Sequence, residues 1–140
     1  MTSYRIIQLN ITFYLAYDRK KSMKIYGIYN ADGGIIGELQ YVLGKIMGKA
    51  HCSLCDITHS YISKKKSWKA LESRGEFEIN LLHINEQEPD LREFTLGITP
   101  CVLAKEESKF RILLTSEQLE NCNKSVSSFE EALHNSINSD

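Results

Sequence analysis

Proline is scarce, two in 140 residues, and an excess of either charge is almost absent: 17 Lys+Arg stand against 18 Asp+Glu, a net charge of −1. Few prolines and 25% charged residues exclude large-scale disorder. Balanced charge and a pI of about 6.4 exclude a nucleic-acid binder that works through a broad basic face. No apolar run approaches the ~18 residues of a membrane span. The most apolar early stretch, Ile6 to Tyr17, is interrupted by Gln8, Asn10 and Thr12 and lacks the layout of a secretion signal. No membrane and no nucleic-acid partner is therefore expected, and the expected location is cytoplasmic. Internal repeats and low-complexity segments are missing too. What is present is 42% apolar residues in 16.0 kDa, enough for one core-bearing domain.

Residues 7–17 alternate: Ile7, Leu9, Ile11, Phe13, Leu15 and Tyr17 share one face of an extended chain. Period two over that length predicts a half-buried edge strand. A polar break, Asp18-Arg-Lys-Lys-Ser22, separates it from the remainder of the chain, so residues 1–22 read as an N-terminal extension and 23–140 as a single domain. Met23 is a candidate alternative start.

Lys24 to Tyr29 reads as a buried strand closed by Asn30-Ala-Asp-Gly-Gly34. Ile35 to Met47 has helical spacing. A second helix is expected from about Cys52, with Ile57, Tyr61, Trp68 and Leu71 on one stripe and a break at Ser67. Glu76 to Asn85 is strand-like, and Pro89 opens a short helix through Phe94. Cys101–Ala104 and Phe110–Leu114 form a hairpin. Thr115 with Gln118 makes a capping box for a helix to about Cys122, and Ser128 with Glu131 repeats it before a final helix, Phe129 to Ile137. This order predicts an α/β domain.

Four cysteines lie at 52, 55, 101 and 122. Cys52-Ser53-Leu54-Cys55 heads a predicted helix, where unpaired N–H groups stabilise a thiolate and the three-residue offset lets the sulfurs bond. Cys52, exposed at the start, is the expected nucleophile and Cys55 the resolver. The competing reading is two cysteines serving as small apolar core residues, in a non-catalytic interaction domain. A third is a metal-binding module. On a helix Cys52, Cys55 and His59 share a face, His51 is adjacent, and Cys101 or His83 would be a fourth ligand. A second close-spaced Cys/His couple is lacking, so no metal and no other cofactor is expected. His83 is either a packed histidine or a base for the thiolate. Gly-x-Ser-x-Gly is absent, and Gly44-Lys45 and Gly48-Lys49 lack the spacing of a phosphate loop. Lys64-Lys-Lys66 reads as a solvated helix face.

The stretch Phe77 to Leu114 (strand, short helix, Thr99-Pro100, hairpin) resembles the C-terminal half of thioredoxin-like proteins such as glutaredoxins. That resemblance implies a thioredoxin-like sheet with helices on both faces. It also implies a cis bond at Thr99-Pro100 facing the CxxC, with Thr99 and Pro100 shaping a site for an extended substrate. The departure from the family is the helix Ile35 to Met47, which would be an insertion before the CxxC. An alternative registration puts Asp32-Gly33-Gly34 at the usual cysteine position. A second resemblance is to a group of short bacterial proteins of unknown role, through Tyr29-Asn30-Ala31, Cys52-Ser53-Leu54-Cys55-Asp56-Ile57-Thr58, Trp68 and Leu82-His83. The expected activity is thiol–disulfide exchange at Cys52 and Cys55 with a protein thiol or disulfide as partner.

Overall fold

The computed structural model describes residues 2–34, 51–60 and 63–139. A helix, α1 (Thr2–Ser22), comes first. Strand β1 (Lys24–Ile28) comes next. After helix α2 (Ser53–Thr58) comes a small hairpin of β2 (His59–Ser60) and β3 (Ser63–Lys64). Then come α3 (Lys66–Arg74), β4 (Ile79–Leu82), a 3-10 turn at Ile84–Glu86 and α4 (Pro89–Thr95). The chain finishes with β5 (Cys101–Glu106), β6 (Lys109–Leu114), α5 (Ser116–Glu120) and α6 (Val126–Asn138).

The four long strands form one mixed sheet in the order β4-β1-β5-β6. β1 runs parallel to β4, with Ile25 opposite Ile79 and Ile28 opposite Leu82. It runs antiparallel to β5, which is antiparallel to β6. Strand alternation sorts the side chains onto two faces. Ile25, Tyr29, Val102 and Ala104 join Leu54, Trp68, Leu71 and Phe129 in the larger core, under α2, α3 and α6. Ile28, Cys101 and Leu103 meet Leu91 of α4 on the other face. Helices therefore cover both sides of the sheet. Gly27 sets how closely α2 can lie on the first face. A Cβ there would come within 2.8 Å of Leu81 Cδ2 and 3.3 Å of Leu54 Cδ2. Trp68 and Phe129, both fully buried, lock α3 to α6 with ring centroids 5.2 Å apart.

The edge strand expected over residues 7–17 is instead part of α1. Thr2 to Ser22 contains no glycine or proline to stop a helix. Wound as a helix, the same residues put Arg5, Gln8 and Thr12 on one stripe, and the Thr12 hydroxyl bonds the Gln8 carbonyl at 2.8 Å. A helix also satisfies its own backbone without a sheet partner. Ile6, Leu9, Phe13 and Leu15 are all more than half exposed. Among the described residues no helix is long and apolar enough to cross a membrane.

The expected helix over Ile35 to Met47 lies outside the described residues, as does Tyr61. The helix expected from Cys52 is two helices, broken at the β2–β3 hairpin rather than at Ser67. Thr58 turns its hydroxyl back onto the Leu54 and Cys55 carbonyls, competing with helix continuation. The strand expected over Glu76 to Asn85 is confined to Ile79–Leu82. The Thr115 capping box is present with both bonds. The last helix starts earlier than the Ser128 signature implies, because Ser125 is its cap and accepts the Ser128 N–H.

Candidate functional site

Cys52 is the extended N-cap of α2 (φ −149°, ψ 103°). Its sulfur is bonded to that of Cys55, with the Cα atoms 5.2 Å apart. That separation is within the normal range for a disulfide. Two backbone N–H groups point at the Cys52 sulfur: that of Cys55 at 3.3 Å and that of Asn30 at 3.4 Å. The first arises because an N-cap side chain meets the amide three residues on, one of the orphan donors of a first helical turn. The second comes from the chain leaving β1. The expectation that Cys52 is exposed is corrected here. Cys52 is 0% exposed and Cys55 8%, because both belong to the larger core together with Leu54 and Ile57 of α2.

The bond between Thr99 and Pro100 is cis. The Thr99 hydroxyl donates to Asn30 Oδ1 at 3.0 Å, so Asn30 links the Pro100 loop to Cys52. The register explains the meeting: Ile28, the last residue of β1, sits opposite Cys101, the first of β5. Residues 29–30 and 99–100 must then leave the sheet side by side.

Tyr29, one residue earlier, is buried beneath a set of histidines. Its hydroxyl is 3.1 Å from Thr58 Oγ1, which is 2.7 Å from His59 Nδ1. Burial pushes the Tyr29 phenol up to about 12. The His83 ring lies against Tyr29 with centroids 5.0 Å apart. His83 Nδ1 meets Glu86 Oε2 at 2.9 Å, and among the described residues no hydrogen bond joins His83 to either sulfur. Backbone donation from His83 holds the Glu86 carboxyl below its usual range, helped by the imidazole. Gly33 crosses directly over this pair. A Cβ there would lie 2.6 Å from Glu86 Oε1 and 2.8 Å from His83 Nδ1. Asn85 fastens that crossing from below, accepting the Gly33 N–H at 2.7 Å and donating to its carbonyl at 3.3 Å.

Two residues of the competing metal reading, Cys101 and His51, lie away from the cysteine pair. Cys101 belongs to the core on the opposite face of the sheet from Cys52, and burial pushes its thiol up to about 11. His51 pairs with Glu120 on the surface at 2.7 Å. Among the described residues, the convergence of metal-ligating types lies elsewhere, at Glu76, Glu130 and His134, whose ligand atoms fall within 4.8 Å of one another. There Arg74 already pairs with Glu130 at 2.7 Å.

Tyr29, Asn30, Cys52, Cys55, Thr58, His83, Thr99 and Pro100 thus gather where β1, β4 and β5 meet α2. Sequence reasoning singled out Cys52, Cys55, His83, Thr99 and Pro100 for the site but met Tyr29, Asn30 and Thr58 only within a motif, and missed the link through Asn30 and the Tyr29–Thr58–His59 chain. A backbone N–H that serves a distant sulfur leaves no mark on residue type. No family model, curated protein or solved structure matches the chain.

Proposed function

We propose that this chain is a thioredoxin-like thiol–disulfide exchange protein acting through Cys52 and Cys55. The single observation that carries the reading is the pair of backbone donors on one sulfur, Asn30 N–H at 3.4 Å and Cys55 N–H at 3.3 Å. In the reduced protein the same two donors face a thiol, and hydrogen bonds to the charged form favour the thiolate. The strand order β4-β1-β5-β6, with β1 parallel to β4 and antiparallel to β5, supports the thioredoxin-like assignment, as does Thr99 linked to Cys52 through Asn30.

In the proposed reaction the Cys52 thiolate attacks one sulfur of a partner disulfide, and the other partner sulfur leaves as a thiolate. The Cys55 thiolate then attacks Cys52 in the mixed disulfide and releases the second partner thiolate. Two electrons pass to the partner, and Cys52–Cys55 is left oxidised. The partner class is a protein thiol or disulfide, and the proposed setting is the cytoplasm. Because both sulfurs are buried, exchange proceeds from a locally opened state.

Burial in the larger core favours a second reading, in which the pair only packs. Incubating Cys55→Ser with oxidised glutathione separates the two. Exchange predicts one glutathione per chain, attached at Cys52 and lost in Cys52→Ser; core packing predicts no adduct in the folded protein.

A further inference from the structure

Between the end of β1 and the start of β5, one residue touches both elements of the proposed exchange site. Asn30 presents its backbone N–H to the Cys52 sulfur and its side-chain oxygen to the Thr99 hydroxyl. The two contacts belong to one residue, so the second restrains the first. With the side chain held at 3.0 Å by Thr99, rotation of the Asn30 peptide away from Cys52 breaks a hydrogen bond as well as losing the sulfur contact. The next peptides are restrained as well. Ala31 O accepts the Ile84 N–H at 2.9 Å, and Gly33 is fastened on both sides by Asn85.

We infer that Asn30 is a positioning residue for Cys52, acting with Thr99 as a clamp that keeps a backbone donor aimed at the sulfur. The inference rests on the exchange reading and deepens it by naming what sets the balance between the two redox states. A disulfide sulfur is a weak acceptor, whereas a thiolate is a strong one. The clamp therefore stabilises the reduced form more than the oxidised form. Reduction here consumes two external thiols. The first attacks Cys52, breaks the Cys52–Cys55 bond and releases Cys55. The second attacks the external sulfur of the mixed disulfide, leaves as the external disulfide and releases Cys52 as the thiolate facing Asn30. Loosening the clamp should shift the balance toward the disulfide and raise the pH at which Cys52 ionises.

The test compares the full chain with Thr99→Val, Thr99→Ser and Asn30→Ala. The readouts are the alkylation midpoint of Cys52 in reduced protein and the equilibrium constant against a reduced/oxidised glutathione buffer. Thr99→Val keeps the shape and removes the donor, and Thr99→Ser restores it. Loss of one hydrogen bond predicts a midpoint about half a unit higher and an equilibrium about threefold further toward the disulfide in Thr99→Val and Asn30→Ala. Thr99→Ser should stay with the parent protein. Asn80→Ala, which loses a side-chain bond to the Ile25 carbonyl elsewhere on the sheet, controls for general loosening and should shift neither readout. The inference is overturned if both clamp variants match the parent, if Thr99→Ser moves with Thr99→Val, or if Asn80→Ala shifts equally. Absence of any exchange with glutathione would instead reject the proposed function, while the midpoint comparison would still decide whether Asn30 positions Cys52.

Discussion

The backbone N–H of Asn30 reaches the sulfur of Cys52 at 3.4 Å across 22 residues of sequence. That contact ties the end of β1 to the start of α2. Gly27, next to the end of β1, leaves room for Leu54 of α2, and the N-cap of that helix meets the chain leaving β1. The proposed exchange chemistry depends on this seating.

Removing the seat should therefore cost stability. Leu54 is fully buried and faces Gly27. Leu54→Ala should destabilise the fold by about 2–4 kcal/mol through lost burial and the cavity left behind. Urea unfolding monitored by circular dichroism measures it, and a loss below ~1 kcal/mol would mean that α2 is not anchored there.

Gly33→Ala should also destabilise, by about 1–3 kcal/mol, because a methyl group would press on Glu86 and His83. The same unfolding assay applies. Shortening the neighbour in Gly33→Ala/Glu86→Ala should recover part of the loss, and no recovery would place the strain elsewhere.

Much of this arrangement is legible in the sequence, and the gaps have physical causes. Strand β1 and the β5–β6 hairpin announce themselves as apolar runs bounded by turn residues, and Thr115 with Gln118 marks its helix by a side-chain rule that holds locally. Residues 7–17 mislead because alternation at period two is also compatible with a helix when no glycine or proline intervenes. Ser125 and Ser128 are both good caps, and only tertiary packing of Val126 and Phe129 selects the earlier one. His83 falls one residue past β4 and caps the 3-10 turn, so its neighbours give no hint that it faces Tyr29. The depth of Cys52 is illegible because burial depends on where the whole helix lands.

Stability at high pH should carry the signature of Tyr29. Its phenol is pushed up to about 12 from an ordinary value of 10.0 by burial, so the folded state holds the proton more tightly than the unfolded chain. The contribution is complete below the unfolded value and is lost as pH rises through the folded one. Unfolding free energy should fall between pH 10.0 and about 12, and Tyr29→Phe should reduce that slope. Tyrosinate absorbance measured alongside should show a late-ionising component in the parent protein that is lost in Tyr29→Phe. An unchanged slope would contradict the assignment.

At low pH the sign reverses for Glu86. Its carboxyl is held below the ordinary value of 4.5, chiefly by the His83 backbone N–H, so it stabilises the fold above the unfolded value and ceases to as pH falls through the folded one. Glu86→Gln should flatten the acid limb of the stability profile below pH 4.5, and an unaltered limb would remove Glu86 from the account.

A chain beginning at Met23 should unfold cooperatively with nearly the parent midpoint. Ile6, Ile7, Leu9, Ile11, Phe13, Leu15 and Tyr17 of α1 are exposed, whereas the sheet and both cores are built from Met23 onward. Loss of a cooperative transition by calorimetry would make α1 integral to the domain.

The central claim is that Cys52 is the activated sulfur, and the rate of alkylation as a function of pH in the reduced protein tests it most directly. Two backbone donors on that sulfur predict one thiol that titrates below the ~8.5 of a free cysteine. The early-titrating thiol should vanish in Cys52→Ser and persist in Cys55→Ser, with Cys101 titrating late throughout because burial pushes its thiol up to about 11. A profile in which no thiol ionises below ~8.5, or in which the early one survives Cys52→Ser, would contradict the account.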